Sequence, residues 1–448
     1  MAGKYQAYPD YKDSGVEWLG EIPNSWRAKQ LKYLSTYNDE VLPESIRDEY
    51  EIKYVDIGSV SANEGIFKTE CLAFGKAPSR ARRIVRDGDV LISTVRTYLE
   101  AIAPVDNPPE NMVASTGFAV IRPNEGLCKR YVAYCLRARG FIKEVVARSV
   151  GVSYPAINAS DLVNIKIPEP AFQDQQQIAD FLDYETAQID TLIDKQQQLI
   201  QLLKEKRQAV ISHAVTKGLN PDTPMKDSGI EWLGEVPEHW DVSRFGYISQ
   251  IVRGGSPRPA GDPTLFNGDY SPWVTVAEIT KDDEIYLKET EAFLTKKGSD
   301  QCRVFKSGTL LLSNSGATLG VPVILNIDAN ANDGVVGFEN LKLDSEFSYF
   351  YLSSLTDDLR ERVKQGSGQP NLNTDIVKNI FVPIPPAPEV EEIVEFIHGV
   401  RSHFNALQDK AILGIRLLQE RRSALISAAV TGKIDVRGWQ PPAKSQPC

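Results

Sequence analysis

Arginine side chains are concentrated in one short stretch of the first third of the chain. Four of them lie within residues 80–86, which contain no acidic residue, and another follows at position 96. Guanidinium groups bind phosphate oxygens and, through paired hydrogen bonds, the edge of guanine. A solvated basic surface that pairs with neighbouring acids is the alternative. The predicted nucleic-acid contacts in this part of the chain are Arg80, Arg82, Arg83, Arg86 and Arg96.

A second polar set lies in the second half of the chain. The loop RGGSPR at 253–258 places two guanidinium groups around glycines whose backbone amides can approach a phosphate closely. Further on, the apolar run 310–312 ends in Ser-Asn-Ser, whose groups donate and accept hydrogen bonds. The predicted contacts here are Arg253, Gly254, Gly255, Ser256, Arg258, Ser313, Asn314 and Ser315.

Two short segments with a glycine and a proline at matching positions occur in the two halves of the chain. Residues 151–156 are GVSYPA and residues 366–371 are GSGQPN. The shared proline is typical of a structural turn. Contact with a partner and a simple turn remain equal alternatives for Ser153, Tyr154, Ser367 and Gln369.

Motifs for catalysis are absent from the sequence. Neither a GxxxxGK[ST] phosphate loop nor a GxGxxG loop occurs, and His398 and His403 lack the HExxH arrangement of a zinc hydrolase. The string DNPPE at 106–110 has a glutamate where amino-methyltransferases place an aromatic ring, so we interpret it as a proline-rich turn. Five scattered cysteines form no CxxC pair. We predict no catalytic residue, no metal ligand and no cofactor bound by this chain.

An internal duplication organises the chain. Residues 12–26 (KDSGVEWLGEIPNSW) match residues 226–240 (KDSGIEWLGEVPEHW) at eleven of fifteen positions. Residues 205–216 match residues 420–431 at eight of twelve positions, so the two offsets are 214 and 215 residues. Two matches at nearly one spacing predict a tandem repeat. The tryptophans that recur in register are predicted to be packing anchors, namely Trp18, Trp26, Trp232 and Trp240.

Each repeat ends in a segment with the spacing of a long helix. Apolar residues recur at steps of three, four or seven over 173–218 and again over 388–433, which is a heptad pattern. Prolines precede both segments, and Gly218 and Gly432 close them, as expected at helix ends. Two such helices in one chain can pair with each other, whereas solvated surface helices are the alternative. The predicted pairing residues are Ile178, Leu182, Ile189, Leu192, Leu199, Leu203, Val210, Ile393, Ile397, Phe404, Leu407, Leu418 and Leu425.

The segments between these helices have a mixed character. Short apolar runs such as 90–95, 118–121, 310–312 and 335–338 are bounded by turn-forming residues, which is typical of strands, and other stretches look helical. This predicts α+β modules. The predicted division is a Trp-rich segment 1–26, a first module 27–172, a long helix 173–218, a linker with the repeated Trp-rich segment 219–240, a second module 241–387, a second long helix 388–433 and a tail 434–448.

Composition places the chain among folded, non-membrane proteins. Its 448 residues are 42% hydrophobic and 25% charged, with a mean hydropathy of −0.28 and no apolar run long enough for a membrane span. The start of the chain lacks the apolar core of a secretory signal, so a cytoplasmic location is expected. A net charge of −10 argues against coating nucleic acid by bulk charge, but local basic surfaces remain effective because screening acts over about 10 Å.

Several of these strings together resemble a known family. WLGEIPNSW and WLGEVPEHW, the RGGSPRP loop, LLSNSGATLG, GSGQPNLN and the helix ends KRQAVISHAVT and RRSALISAAVT are similar to the specificity subunit of type I restriction–modification systems. The resemblance extends over essentially the whole chain. The first module departs from it, because it lacks the Gly-Gly-Ser-Pro loop and has GVSYPAIN in place of GSGQPNLN.

The resemblance implies two target recognition domains in tandem, each recognising one half of a split, asymmetric sequence of double-stranded DNA. It implies two long antiparallel coiled-coil helices with pseudo-twofold symmetry, which would measure the spacer between the half-sites. Two methyltransferase subunits and the restriction and translocase subunits are the implied partners, and they would use S-adenosylmethionine, ATP and Mg. The chain itself would be a non-catalytic subunit of a DNA adenine methyltransferase and restriction endonuclease complex.

The resemblance leads to two hypotheses, and two rival functions remain beside it. Inserting four residues near Gln196 should lengthen the spacer, and exchanging residues 27–150 should alter only one half-site. The main rival is a coiled-coil adaptor whose two modules bind proteins, which the basic stretch at 80–86 disfavours. A second rival is an independent methyltransferase or nuclease, which the absent cofactor loop disfavours.

Overall fold

The chain folds into two compact units. The first unit consists of Met1–Gln197 with Ile412–Cys448, and the second is Gln198–Ala411. Both contain helices and sheets, so the predicted α+β class is confirmed. The computed structural model describes residues 5–61, 64–281, 283–316, 318–364 and 371–442.

The helices include two that are far longer than the others. In chain order the helices are α1 (Lys129–Arg137), α2 (Arg139–Ala147), α3 (Ala159–Leu162), α4 (Phe172–Lys217), α5 (Phe245–Ile248), α6 (Val276–Ile279), α7 (Lys296–Ser299), α8 (Ser345–Ser354), α9 (Thr356–Lys364), α10 (Thr374–Lys378) and α11 (Ala387–Val430).

The strands are short in both halves of the chain. In the first half they are β1 (Tyr11–Asp13), β2 (Glu21–Pro23), β3 (Arg27–Gln30), β4 (Ser35–Tyr37), β5 (Glu51–Val55), β6 (Val60–Ser61), β7 (Gly65–Ile66), β8 (Glu70–Ala73), β9 (Ala81–Ile84), β10 (Val90–Ser93), β11 (Ile102–Pro104), β12 (Met112–Ser115), β13 (Phe118–Pro123) and β14 (Lys166–Glu169). In the second half they are β15 (Met225–Asp227), β16 (Glu235–Pro237), β17 (Asp241–Arg244), β18 (Gln250–Arg253), β19 (Phe266–Val274), β20 (Tyr286–Leu287), β21 (Phe293–Leu294), β22 (Val304–Phe305), β23 (Leu310–Ser313), β24 (Pro322–Leu325), β25 (Ala329–Ala331), β26 (Val335–Glu339) and β27 (Phe381–Ile384).

The module of the first unit is built on two sheets. One is antiparallel with the order β11-β10-β13-β4, and the other has the order β8-β5-β12-β9, in which β5 and β12 run parallel. All residues of β10 are buried, and β10 pairs with β13 from Val90↔Ile121 to Ser93↔Phe118. The strand predicted at 118–121 is confirmed, and the one predicted at 90–95 is confirmed as far as Ser93; together they form the buried centre of this module.

The module of the second unit repeats this plan. Its sheets have the orders β18-β26-β23-β24-β20 and β21-β19-β25-β22, and β19 runs parallel to β25. The buried strand β23 pairs with β26 from Leu310↔Phe338 to Ser313↔Val335. The strands predicted at 310–312 and 335–338 are confirmed, and they correspond to β10 and β13 in the first unit.

A short antiparallel strand pair closes each module where the chain enters and leaves it. In the first unit β3 pairs with β14, with Gln30 opposite Lys166. In the second unit β17 pairs with β27, with Arg244 opposite Phe381. Each module is therefore an insertion between two strands that are hydrogen-bonded to each other.

Two of the repeated tryptophans pack against the glycines that end the long helices. Trp26 and Trp240 are fully buried, which confirms them as packing anchors. Gly432 and Gly218 have φ values of +71° and +76°, the left-handed conformation predicted at both helix ends. A Cβ atom on Gly432 would lie 3.2 Å from the Trp26 ring, and one on Gly218 would lie 3.2 Å from the Trp240 ring. The left-handed turn thus favours glycine at both ends, and at Gly432 the Pro23 ring, 2.4 Å from a Cβ atom, excludes any other residue.

The long helices run antiparallel where they meet inside each unit. In the first unit Arg422 Nε lies 3.2 Å from Asp190 Oδ1, and Gly414 faces Gln196. In the second unit Arg207 donates to Asn405 Oδ1 at 2.8 Å. The antiparallel coiled-coil character predicted for these segments is confirmed.

Burial of the predicted pairing residues is uneven along the helices. Leu192 and Leu199 are 45% and 42% exposed, so the pairing does not form one continuous buried seam. In the first unit, Gly414 supplies no side chain opposite Gln196, where the pairing is weakened. The buried members are Ile178, Leu182, Ile189, Ile393, Ile397 and Leu425, and the partly buried ones are Leu203, Val210, Phe404, Leu407 and Leu418.

Candidate nucleic-acid interface

In the first unit, three loops meet at one end of the β10–β13 pair. The Thr94 amide donates to the Gly117 carbonyl (2.8 Å), and the Ile157 amide donates to the Thr94 carbonyl (2.9 Å). Val95 and Ala156 form an isolated antiparallel bridge. We call this meeting of residues 94–97, 116–117 and 149–157 the first-unit junction. It brings together three of the predicted contact residues, namely Arg96, Ser153 and Tyr154.

Arg96 occupies an unusual backbone position in the first-unit junction. Its φ is +50°, a left-handed conformation that is uncommon for residues other than glycine. Its guanidinium lies over the Tyr154 ring, 5.0 Å from the centroid, which is a cation–π contact. Both side chains are exposed. The Arg96 side chain is therefore presented to solvent on an aromatic support.

The arginines of the 80–86 stretch divide into two classes. Arg80 lies 3.3 Å from Asp56, and Arg86 lies 2.7 Å from Glu40. Hydrogen bonding from Arg86 lowers the pKa of the Glu40 carboxyl, so Glu40 stays ionised and offsets the charge of Arg86. Two of the predicted contacts are thus already paired with acids.

The other two arginines of the stretch have no acidic partner among the residues that the structure describes. Arg82 lies over the Phe74 ring at 4.7 Å and donates to the Ala81 carbonyl, with no carboxylate partner among the described residues. Arg83 has a buried Nε with no hydrogen-bond partner in that same part of the chain, and burial lowers the pKa of its guanidinium. The Arg80 carbonyl accepts the Thr116 amide (2.8 Å), which connects this stretch to the first-unit junction.

We expect Arg82→Gln to weaken duplex DNA binding more than Arg86→Gln does. A cation without a carboxylate partner is available to a phosphate, so its loss should cost up to about tenfold in affinity and reduce the salt slope by about one. Arg86→Gln should change affinity less than about twofold, because that charge is already offset by Glu40. Titrations of both variants with duplex DNA at several salt concentrations measure the difference. Equal losses would contradict the division into paired and unpaired arginines.

In the second unit, the corresponding loops meet in the same way. The Asn314 amide donates to the Gly334 carbonyl (2.9 Å), and the Leu372 amide donates to the Asn314 carbonyl (2.7 Å). Ser315 and Asn371 form an isolated antiparallel bridge. We call this meeting of 313–316, 332–334 and 371–372 the second-unit junction. These two hydrogen bonds and the bridge match the Thr94–Gly117 and Ile157–Thr94 bonds and the Val95–Ala156 bridge of the first-unit junction.

The loop that follows β18 is hydrogen-bonded to the turn 332–334. Arg253 Nε donates to the Asp333 carbonyl at 2.7 Å, and the Ser256 hydroxyl donates to Asp333 Oδ1 at 2.8 Å. The amides of Gly254 and Gly255 donate to the carbonyls of Val335 and Ala331, both at 2.9 Å. These amides are therefore occupied, and the prediction that they face a phosphate is wrong.

The reason for glycine at position 254 is close packing. A Cβ atom there would lie 2.2 Å from the Asn332 carbonyl oxygen. Gly254 thus lets the chain after β18 continue against the turn 332–334. Its part in the candidate interface is to place Arg253 and Ser256, not to bind a ligand itself.

Asn314 is the buried polar centre of the second-unit junction. Its side chain is fully buried, and its Oδ1 has no hydrogen-bond partner among the described residues. Its Nδ2 lies 3.4 Å from the Asp333 carbonyl. A buried acceptor without a donor is costly unless a ligand or water supplies one. Asn314 therefore keeps an unsatisfied acceptor at the buried centre of the second-unit junction.

The remaining predicted residues of this unit differ in their surroundings. The Ser313 hydroxyl is buried and donates to the Thr318 carbonyl at 2.7 Å, so it supports the loop. Arg258 is exposed, and its backbone amide donates to Gln301 Oε1 at 2.9 Å. Ser367 and Gln369 lie outside the described residues.

Sequence reasoning missed some of the residues that shape these junctions. The turn 332–334 was not singled out, although Asn-Asp-Gly directly before a buried strand is a turn signal that points to it. Val150 and Val152 were also missed. They stand at 80% and 101% exposure on a short hairpin of the first-unit junction. Two valines beside a glycine and a proline in a loop were the available signal.

Metal and membrane sites are not features of the described part of the chain. Within it, no group of three or more His, Cys, Asp or Glu side chains could hold a metal ion. No helix there is both long and apolar enough to cross a bilayer.

Comparison with known proteins gives a consistent family assignment. The sequence matches the family described as type I restriction modification DNA specificity domain over residues 23–202 and 237–415. It is 22% identical to a putative type I restriction enzyme MjaX specificity subunit of Methanocaldococcus jannaschii, covering 94% of this chain and 96% of that one. It is 24% identical to the type I restriction enzyme MjaIX specificity subunit of the same organism, covering 97% and 98%.

The fold is also found among solved structures. A chain from a structural study of complex assembly and conformational transition of the type I R-M system superposes with a TM-score of 0.68 at 22% identity. The superposition covers 91% of this chain and 98% of that one. The tandem α+β architecture is therefore shared over most of the length of the two chains.

Proposed function

The chain belongs to the type I restriction–modification DNA specificity family, and from that premise we propose that each unit recognises one half of a bipartite, asymmetric DNA site. It is the specificity subunit of a type I restriction–modification system. The observation that supports the proposal is the matched pair of junctions with unlike side chains. Arg96 and Tyr154 occupy one, whereas Asn314 and Ser315 occupy the other. Equal backbone frames with different contacts suit two different half-sites.

The chemistry of each junction suits a different mode of contact. In the first unit, Arg82, Arg83 and Arg96 supply cations for phosphates or guanine edges. In the second unit, the exposed side chains of Arg253 and Arg258 supply cations, and the buried Asn314 supports the junction beside them. The acidic net charge of the chain leaves these local sets as the attraction for DNA.

The proposed partners follow from family membership. Specificity subunits are non-catalytic, so methylation and cleavage would belong to two methyltransferase subunits and to restriction and translocase subunits. Those partners would use S-adenosylmethionine, ATP and Mg, and the assembly would act in the cytoplasm. The repeated long helices supply this chain with two similar surfaces on which identical subunits can dock.

Modified-base sequencing of a host expressing this chain with its methyltransferase tests the proposal. We expect one methylated motif made of two unlike half-sites separated by a fixed unspecified spacer. A palindromic motif, or no motif that depends on this chain, would contradict it. The adaptor alternative is tested by titrating the methyltransferase complex with duplex DNA, because an adaptor for proteins would show no sequence-dependent affinity.

Matched insertions in the two long helices test whether they set the spacer. Four residues inserted after Gln196 and four more at Gly414, which faces it, lengthen each helix by about 6 Å. Four residues also make close to one full helical turn, so the apolar faces keep their direction. At about 3.4 Å per base step, we expect the spacer of the methylated motif to grow by one or two base pairs.

The same mapping of methylated motifs measures the result of the insertions. An insertion near Gln196 alone, expected above from the sequence to lengthen the spacer, becomes the control, because α4 pairs with α11. The single insertion shifts one helix against the other and should reduce methylation without a new defined spacer. An active double-insertion variant with the original spacer would show that the helices do not set the distance.

A further inference from the structure

A short hairpin in the first-unit junction exposes apolar side chains. Val152 is fully exposed at its tip, and Val150 and Tyr154 are 80% and 66% exposed. Tyr98 and Leu99 of the neighbouring loop are 54% and 47% exposed. Single exposed apolar residues are ordinary, but a group of them on one loop tip marks a binding surface. These side chains are not packed in the core of the module.

Several contacts hold the hairpin despite the exposure of its tip. The amides of Val150 and Ala156 donate to each other's carbonyls at 2.8 and 3.0 Å. The hydroxyls of Thr97 and Ser149 are 2.8 Å apart and join the two loops. Arg96 lies over the Tyr154 ring and limits its motion. A tip that is ordered before binding loses little entropy when it enters a ligand.

Backbone strain at the base of the hairpin points to a role for the Arg96 side chain. The matching position of the second-unit junction is Gly316, with φ +80°, where no side chain is strained. Arg96 holds a similar left-handed conformation at a conformational cost. Retaining arginine where the repeat uses glycine indicates that its contact with Tyr154 or with a ligand offsets that cost.

The apolar tip belongs to only one of the two repeats. The first-half residues Val150, Val152 and Tyr154 align with Gln365, Ser367 and Gln369 in the second half of the sequence. The glycine and the proline of the segment recur in both halves, while the apolar character is specific to the first half. We therefore expect the apolar tip to contact only the half-site that the first unit binds.

We propose that the tip of this hairpin is a wedge that inserts Val152 between stacked bases of the half-site bound by the first unit. Tyr154 would stack on the base that is uncovered, and Arg96 would contact the adjoining phosphate. Apolar side chains that enter a base step unstack it, and aromatic rings then bind the freed base face. The inference rests on the proposed function, because it needs the first unit to bind duplex DNA.

The position of the tip favours DNA over a protein as its ligand. The hairpin pairs through Ala156 with Val95, next to Arg96, and the Thr94–Gly117 bond links it to the turn that binds the Arg80 carbonyl. The wedge is thus continuous with the arginine stretch 80–86. A neighbouring cationic surface suits phosphates on both sides of an opened base step.

Fluorescence of 2-aminopurine in the mapped recognition duplex tests the wedge. The full chain is used in complex with its methyltransferase subunits, and the fluorescent base is placed in turn at each position except the methylated one, which the methyltransferase itself can extrude. We expect a several-fold rise at one step of one half-site and none in the other. The triple variant Val150→Gln, Val152→Ser, Tyr154→Gln should abolish the rise and lower affinity about tenfold or more.

Two further variants separate the wedge from general effects. Val152→Ser alone should also abolish the rise, and it cannot disturb the fold because Val152 has no packing partner among the described residues. Tyr33→Ser is the matched control, since Tyr33 is 59% exposed and its carbonyl contacts Asn124, next to the opposite end of β13. It should leave both signal and affinity unchanged.

The possible failures are distinguishable. Tight, specific binding with no rise at any position, or a rise that survives the triple variant, overturns the wedge and leaves the proposed function intact. Loss of the methyltransferase subunits from the triple variant would mean that the tip binds protein, and it too overturns the wedge. Absence of specific duplex binding by the wild-type complex overturns the proposed function, and the wedge with it.

Discussion

Arg122→Met is expected to lower the free energy of unfolding of the first unit by about 3–5 kcal/mol. Asp89, directly before β10, is fully buried, and Arg122 in β13 donates to both of its carboxylate oxygens at 2.8 Å. Removing the guanidinium leaves a buried carboxylate without its counter-charge. Breaking a buried pair in this way is costly, even where replacing both partners is nearly neutral.

Other contacts of the pair increase its importance. Asp89 also accepts the Arg86 amide at 2.7 Å, and Arg122 donates to Glu40 at 2.6 Å. Hydrogen bonding to Asp89 raises the pKa of Arg122, so the guanidinium stays charged across the accessible pH range. The pair ties together the ends of β10 and β13 that lie away from the first-unit junction. Its loss should loosen the frame that holds that junction.

Hydrogen exchange of peptides from each unit under mild denaturant measures the change. Arg86→Met is the control, because Arg86 and Glu40 form a surface pair worth at most about 1 kcal/mol. Asp89→Leu with Arg122→Met should recover part of the loss, but not all, since the Arg86 amide then lacks its acceptor. Equal effects of Arg122→Met and Arg86→Met would contradict the importance given to the buried pair.

The architecture was accessible from the sequence because its signals are local or repeated. Heptad spacing is a property of consecutive turns, so α4 and α11 could be predicted without knowledge of the rest of the fold. The duplication fixed the tandem order, and Gly218 and Gly432 marked the helix ends. Strand order was not accessible, because pairing between distant strands leaves no periodic trace. The contact of Asp89 with Arg122 is of this kind.

The candidate interface was accessible only in part for the same reason. The sequence singled out Arg96, Tyr154, Asn314 and Ser315, but their convergence on two matched junctions depends on long-range backbone bonds. The amides of Gly254 and Gly255 were wrongly expected to be free, because a glycine pair that binds a ligand and one that packs against a turn have the same sequence pattern. Only the position of the turn 332–334 distinguishes them.

Duplicating the second module in place of the first is expected to change one half-site completely. Each module lies between two strands that pair with each other, so residues 245–380 can replace residues 31–165 while β3 and β14 keep their bonds. Both units would then present Asn314-type junctions. We expect a methylated motif in which both halves have the bases of the original second half-site, with at least about a thousandfold loss at the original site.

The reciprocal exchange, with residues 31–165 in place of 245–380, is the matched control and should duplicate the other half-site. Each transplanted module must still pack against the long helix. In the wild-type chain, the Cys128 amide of the first module donates to Gln175 of α4. Hydrogen exchange of α4 peptides therefore checks that each chimera is folded. Motif mapping then decides the result. A folded chimera in which the unexchanged half-site also changes would show that the two units do not recognise DNA independently, because base contacts confined to one junction cannot alter the bases chosen by the other.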